Sequence, residues 1–350
     1  MVPKFLTLLC IVCIVFIPAY AKHLHDDYYT MFGVDKMGGG YDTTTMNFLG
    51  LPIYDFTYDD KQIWENPVDH RLYLVPDQIY PEIWAESLFV NYTDVIHDEF
   101  DIQSLHKETV SWSYGFLDLG EASRTTIDYY EHYYCNDQSL FINQLILTFA
   151  RLTLPTMIIP TGQMFNLAVS LLPNVYDATT KSKYTQFFNA YGTAVVDQAY
   201  LGGKMLLKNY YHKCIDEVVS KHDEYEEGSW SFIAISSHYD HTVIDDRLNK
   251  TFGMTPQINF TLIGGDIGID MDHWEKWIPT VKTNMEIIKF SLIPIYQLIN
   301  DPVKQSNIKI AMNDYDQNAK TNLQKAIDVF QGLDPHTFPD YCKPSFRRKH

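Results

Sequence analysis

The side chains of this 350-residue sequence whose types and spacing could do chemistry gather at His238, Asp240, His241, Asp245 and Asp246. Imidazoles and carboxylates this close in sequence can hold a divalent cation. The flanks lack an H-E-x-x-H arrangement, and in a β-type stretch histidines three residues apart face opposite sides of the strand. The segment therefore reads as a solvated loop, and no metal or cofactor is expected. No G-x-S-x-G, P-loop or Cys/His nucleophile pattern occurs elsewhere, so the sequence points away from an enzyme.

Covalent chemistry is more informative. Lys4, the apolar run from Phe5 to Pro18 and the small-x-small order Ala19-Tyr20-Ala21 make residues 1–21 a secretory signal peptide. Its apolar core is shorter than the roughly 20 residues that span a bilayer. The mature chain is then expected to begin near Lys22 and to enter an oxidising compartment. Cys10 and Cys13 leave with the signal, and the odd set Cys135, Cys214 and Cys342 allows at most one intramolecular disulfide. N-x-[ST] sequons at Asn91, Asn249 and Asn259 fit a secreted glycoprotein.

A formal charge of −17 excludes nucleic acid as a partner, because phosphate binding needs clustered Lys and Arg. Protonating all 13 histidines would bring the charge to about −4, removing most of the self-repulsion. The 46% apolar content and the absence of a Ser/Gly/Pro-rich linker favour one elaborated domain.

The elements that must position these residues are of mixed type. Residues 28–80 read as short strands and turns. Residues 110–116 alternate strictly, with Val110, Trp112, Tyr114 and Phe116 on one face, and residues 124–134 can pair back as a hairpin. Apolar spacing predicts helices over 138–152, 163–190 with a break near Pro173, 274–299 and 316–331. Between them, residues 191–207 read as a strand bent at Gly202-Gly203, since paired glycines inside a strand mark a bulge. The whole is α+β with an antiparallel sheet.

Tyr191-Gly192-Thr193, followed eight residues later by Leu201-Gly202-Gly203, resembles the Y-G-T-H and G-G signature of the membrane attack complex/perforin (MACPF) family, with Ala194 where the family usually has His. The G-G-G-Y-D run at 38–42 and Val75-Pro76-Asp77 resemble the opening of its macrophage-expressed perforin-like branch. Gly264-Gly265-Asp266, Trp277 and Leu292-Ile293-Pro294-Ile295 resemble later family elements. The resemblance implies a MACPF domain over 22–335, a short tail at 336–350, and a bent antiparallel four-stranded sheet flanked by helices. It also implies two segments, near 104–128 and 208–260, that refold from helices into membrane-inserting hairpins. A lone hairpin leaves edge groups unpaired in lipid, so insertion requires a ring of copies. The partners implied are a lipid membrane and further copies of the chain, with a receptor or partner protein for initial binding. Gly202, Gly203, Gly264 and Gly265 are then the hinge. Trp112, Tyr114, Phe116, Trp230, Phe232, Ile233 and Ile235 are the membrane-inserting candidates.

Against lysis stand the short first segment and the carboxylates of the second, among them Asp216, Glu217, Asp223, Glu224, Glu226 and Glu227. A non-lytic relative acting in adhesion, recognition or developmental signalling is the rival reading. The segment 339–344 resembles the start of a Cys-rich extension that the sequence does not continue. Cys342 can be free or intermolecular, and Cys135 with Cys214 is the preferred pair. Histidines 212, 222, 238 and 241 lie in or beside the second segment, which suggests release on acidification in a phagosome or lysosome.

Overall fold

The computed structural model describes residues 28–45, 47–60, 62–96, 110–112, 138–212 and 257–331. In chain order they form β1 (Tyr28–Thr30), α1 (Val34–Met37), β2 (Gly39–Asp42), β3 (Asn47–Pro52), β4 (Gln62–Glu65), β5 (Leu72–Val75), β6 (Tyr80–Ile96), β7 (Val110–Trp112) and β8 (Gln138–Thr153). Then follow α2 (Gln163–Leu171), α3 (Lys181–Tyr191), β9 (Ala194–His212), β10 (Gln257–Ile263), β11 (Glu286–Pro294) and α4 (Pro302–Gln331).

The α+β expectation holds, with a correction to the sheet. Instead of four strands, eight take part: β3-β2-β9-β11-β7 form one path, β10 also pairs with β9, and β6 reaches β9 through β8. A small sheet of order β1-β5-β4 stands apart. The centre is carried by long antiparallel strands. β8 pairs along one side of β9, while β11 (to Gly202) and β10 (from Lys204) lie end to end along the other.

Two helices expected from spacing are not helices. Residues 138–152 are β8. From Gln144 to Leu152 its side chains are buried apart from the half-buried Ile146 and Arg151, because both faces of the sheet are covered there. A strand buried on both faces shows no alternation, and its apolar run imitates a buried helix. Residues 274–299 divide into 3₁₀ turns at Met271–Lys276 and Ile278–Thr283, then β11, then a 3₁₀ turn at Ile295–Leu298. The last helix begins earlier than its spacing suggested. Pro302 takes its first position, and Asp301 accepts from the amides of Val303 at 2.8 Å and Lys304 at 3.1 Å.

The expected break near Pro173 separates α2 from α3. The inner face of α3 carries Tyr184, Phe187, Phe188 and Tyr191 at helical spacing, and these rings pack on Phe165 of α2 and Tyr315 of α4. Among the described residues no helix is long and apolar enough to cross a membrane, a statement that does not bear on strands.

Candidate functional site: the bend in the sheet and the hairpin roots

The central strands lose register at one level. Between β6 and β8 the pairing runs from Ile96↔Leu140 to Leu88↔Thr148, then resumes only at Ile83↔Ala150, leaving residues 84–87 as a bulge. Between β8 and β9 the shift falls between Thr148 and Ala150, opposite Gly202. On the far side of β9, β11 ends at Gly202 and β10 starts at Lys204. Bulges bend strands and increase twist, so their alignment draws a bend line across the sheet through Gly202-Gly203.

Glycine is required at that line by close approach. A Cβ on Gly202 would lie 1.8 Å from the Leu147 carbonyl oxygen. A Cβ on Gly203 would lie 2.7 Å from the Trp277 ring and 2.8 Å from both methyls of Val281.

Residues 264–285 form a clamp over the line. Gly264 and Gly265 turn the chain out of β10 with φ of +72° and +66°, the left-handed region open to glycine. Fully buried Trp277 donates its Nε1–H to the Gly264 carbonyl at 2.7 Å. The Gly265 amide donates to the Asn284 carbonyl at 2.6 Å, and Asn284 Nδ2 donates back to the Gly265 carbonyl at 2.8 Å. Thr280 Oγ1 accepts from the Asp266 amide at 2.8 Å. Lys282 reaches across to donate to the Ala85 carbonyl in the β6 bulge at 2.8 Å, its Nζ 5.4 Å from the centre of the Phe149 ring. The Lys282 carbonyl accepts from Asn66 Nδ2 at 2.8 Å, and Asn66 is fully buried. One short segment thus grips β6, β8, β9 and β10 where each departs from regular pairing. Chemically it is a set of neutral bonds around a buried indole together with one Lys282 ammonium contact, suited to holding a bend.

Of the residues singled out from sequence, the four glycines and Trp277 meet here. Lys282, Asn284 and Asn66 do not show in the sequence, because no spacing signals a contact between residues 216 apart.

Tyr191, Gly192 and Thr193 sit elsewhere, at the N-terminal end of β9. Tyr191 ends α3, Gly192 follows at φ +76°, and the Thr193 amide donates to the Tyr41 carbonyl at 3.0 Å. Thr193 Oγ1 bonds Thr43 Oγ1 at 2.7 Å and accepts from the Thr43 amide at 3.1 Å. A Cβ on Gly40 would lie 1.7 Å from the Tyr191 carbonyl oxygen and one on Gly192 2.5 Å from the Tyr41 carbonyl oxygen, which accounts for glycine in both motifs. Ala194, 1% exposed, stands opposite Tyr41 and Pro294. The motif is a structural crossing, with Asp42 behind it accepting from Thr44 and from the Tyr315 hydroxyl. Nearby, the Lys181 ammonium and the Tyr176 hydroxyl hold the Asp314 carboxyl below the usual carboxylate range, and burial with Asp314 pushes Tyr176 up.

Two excursions along the sequence, 97–137 and 213–256, each lie between two strands that are bonded neighbours in the sheet. β6 ends at Ile96 opposite Leu140 of β8, and β9 carries Tyr210 opposite Gln257 of β10. Between these excursions Gln138 pairs with His212. Most of the segments expected to refold, 104–128 and 208–260, lies outside the described residues; of the strand expected at 110–116, Val110–Trp112 pairs with β11, in parallel. Trp112 takes the register position of Leu292. Tyr114, Phe116, Trp230, Phe232, Ile233, Ile235, Cys135, Cys214, Asn249 and the His238–Asp246 cluster lie outside the described residues. Asn91 and Asn259 fall inside β6 and β10, opposite Leu145 and Lys208. Among the described residues no group of His, Cys, Asp or Glu could hold a metal ion.

Residues 30–325 match the MAC/Perforin domain family. The chain belongs to that family. The match is to MACPF as a whole and does not single out the macrophage-expressed branch. Among solved structures, GNIP1Aa from Chromobacterium piscinae superposes with a TM-score of 0.61 at 15% identity, over 84% of this chain and 58% of that one. Two others align less well. Astrotactin-2, described as a perforin-like membrane protein involved in neuronal development, gives 0.45 at 12% identity over 81% and 45% of the two chains. A protein with a MAC/Perforin domain from Bacteroides thetaiotaomicron gives 0.43 at 14% over 83% and 63%. The chain therefore spans less than two thirds of each. No curated protein matches the sequence.

Proposed function

We propose that this chain is a secreted perforin-like protein that assembles as a ring on a membrane and inserts two β-hairpins per copy to form a pore. The supporting observation is the pairing at the roots of both excursions, Ile96↔Leu140 and Tyr210↔Gln257. Strands that already pair antiparallel at the point of departure can lengthen outward without changing partners. Residues 97–137 and 213–256 are each about twice the roughly 20 residues that two membrane strands of 9–11 need. The clamp on the bend line supports the same reading, because the sheet must open there for neighbouring strands to join a common barrel. Cleavage after residue 21, a domain over 22–335 with a tail at 336–350, and action outside the cell or in an endolysosomal compartment complete the proposal.

The non-lytic reading rests on the carboxylates of the second excursion, which suit a solvated segment better than a membrane strand. Dye release from phosphatidylcholine/phosphatidylserine vesicles at pH 7.5 and pH 5, with negative-stain imaging of the same vesicles, separates the two. Leakage with rings supports the pore; binding without leakage at both pH values supports the non-lytic protein.

A further inference from the structure

α2 is apolar on both of its sides. The inner side buries Phe165, Val169 and, just past the helix, Leu172 in the core. The outer side carries Met164, Leu167 and Leu171, three and four residues apart and so in one stripe, all exposed. A helix apolar all round is ordinarily buried, so an exposed one calls for a second surface.

The stripe continues beyond the helix. The turn before it exposes Met157 and Ile158 and is pinned by the amides of Ile158 and Ile159, which donate to the Pro155 carbonyl at 2.9 and 3.2 Å. After it comes exposed Val175, with α4 tied alongside: Lys304 donates to the Leu172 carbonyl, and Asn307 Nδ2 to the Asn174 carbonyl at 2.8 Å. Asn307 shares a face of α4 with Val303 and Ile310, both exposed. The eight apolar side chains, between 38% and 85% exposed, offer on the order of 800 Å², the share one partner gives to a standard interface. The largest patch on an ordinary monomer is about 300–600 Å².

Charge is missing from the same place. Residues 152–176 hold no Asp, Glu, Lys, Arg or His, where a chain 20% charged would carry about five. Lys304 is buried against its carbonyls, and the marginal charges Asp177, Asp301 and Lys309 are engaged with Thr179, the first turn of α4 and the Tyr296 ring. None of the three N-x-[ST] sequons falls within 152–176 or 302–310.

We infer that this face is where two copies of the chain pair symmetrically in solution. Copies of net charge −17 repel one another, and a face free of charge is the one through which they meet with least repulsion. An isologous contact lets the patch cover itself, and its area is what each partner of a stable dimer supplies. A bilayer is the poorer occupant, since the polar positions of α2 are only Gln163, Asn166 and Ser170, whereas helices that lie on lipid carry Lys or Arg there. The patch also lies where β8 ends and β9 begins, about 50 Å along β8 from the Gln138–His212 pair beside the excursion roots. Paired copies thus keep both sets of roots at their outer ends. The inference goes beyond the pore reading and stands whether or not the protein leaks vesicles.

Sedimentation velocity of the full mature chain, without vesicles, tests it. Wild type should be a dimer at micromolar concentration, and L167E/L171E should be a monomer with an unchanged near-ultraviolet spectrum. I158R, on the turn rather than the helix, should weaken dimerisation at least tenfold even if the helix variant fails to fold. V68E, at a similarly exposed apolar position beside the clamp, should leave the dimer intact. Because the repulsion is electrostatic and the contact is not, raising sodium chloride should tighten the dimer. Standard interfaces bind in the micromolar range or tighter, so a wild type that is monomeric at ~100 μM overturns the inference. So does a dimer that survives both patch variants, that dissociates equally in V68E, or that loosens with salt. A monomeric wild type whose binding to phosphatidylcholine vesicles is abolished by L167E/L171E also overturns it and assigns the face to lipid.

Discussion

The Trp277 indole lies so close against Gly203 that a single methyl group on Gly203 would come within 2.7 Å of the ring. The same indole holds the Gly264 carbonyl, so β9 and the exit from β10 are fixed by one side chain.

Gly203→Ala should therefore push Trp277 and Val281 off the bend. Overpacking a filled core costs about 1–3 kcal/mol, which thermal unfolding would register. Trp277→Phe leaves most of the volume but orphans the buried Gly264 carbonyl, at about 1–3 kcal/mol. In vesicle assays both variants should leak faster per bound molecule than wild type, since what they weaken holds the bend closed.

Thr193→Val tests the crossing at the start of β9. It deletes the bonds to the Thr43 hydroxyl and amide in a buried setting, so a loss of about 1–3 kcal/mol in denaturant unfolding is expected. Leakage normalised to folded protein should stay at the wild-type level, because the motif is about ten residues of β9 from the bend. A selective loss of leakage with unchanged stability would assign Thr193 a direct part in insertion.

Acid should spare the fold down to about pH 5. Lys181 and Tyr176 lower the Asp314 carboxyl, and the hydroxyl and amide of Thr179, followed by Thr180, lower that of Asp177. A carboxylate depressed in the folded state contributes stability that is complete above its unfolded pKa of about 4 and fades as pH falls through the folded value. Melting temperatures set by these groups should match at pH 7.5 and pH 5 and drop at pH 3. A large drop already at pH 5 would point to groups other than these carboxylates.

Cys135 and Cys214 lie three residues before Gln138 and two after His212, the last described pair of the β8–β9 ladder. A disulfide between them is expected, and non-reducing peptide mapping should recover the linked fragments with Cys342 outside that bond. Joining adjacent antiparallel strands, it would persist through hairpin extension, so reduction should alter stability more than leakage.

Legibility in the sequence followed how local each signal was. The bend at Gly202-Gly203 and the break near Pro173 were readable because glycine pairs and proline act on their own backbone. β8 was not readable, since burial on both faces erased the alternation that marks a strand and left a helix-like run. The start of α4 was present as Asp301-Pro302 but was overshadowed by stronger apolar spacing downstream. Within the site, the glycine pairs and Trp277 stand out through their motif context, whereas Lys282, Asn284 and Asn66 act through contacts distant in sequence or within an irregular turn.

The hydroxyl of Tyr315 donates to Asp42 at 3.1 Å, joining positions 273 residues apart. At ribosomal rates of about 5–20 residues per second, tens of seconds separate their synthesis. The β6–β8 hairpin is complete well before α4 can close over β2, so the nascent chain carries long, incompletely paired strands during that interval. Biogenesis of this protein should accordingly depend on folding helpers, and truncation before residue 315 should yield chains that are degraded rather than folded.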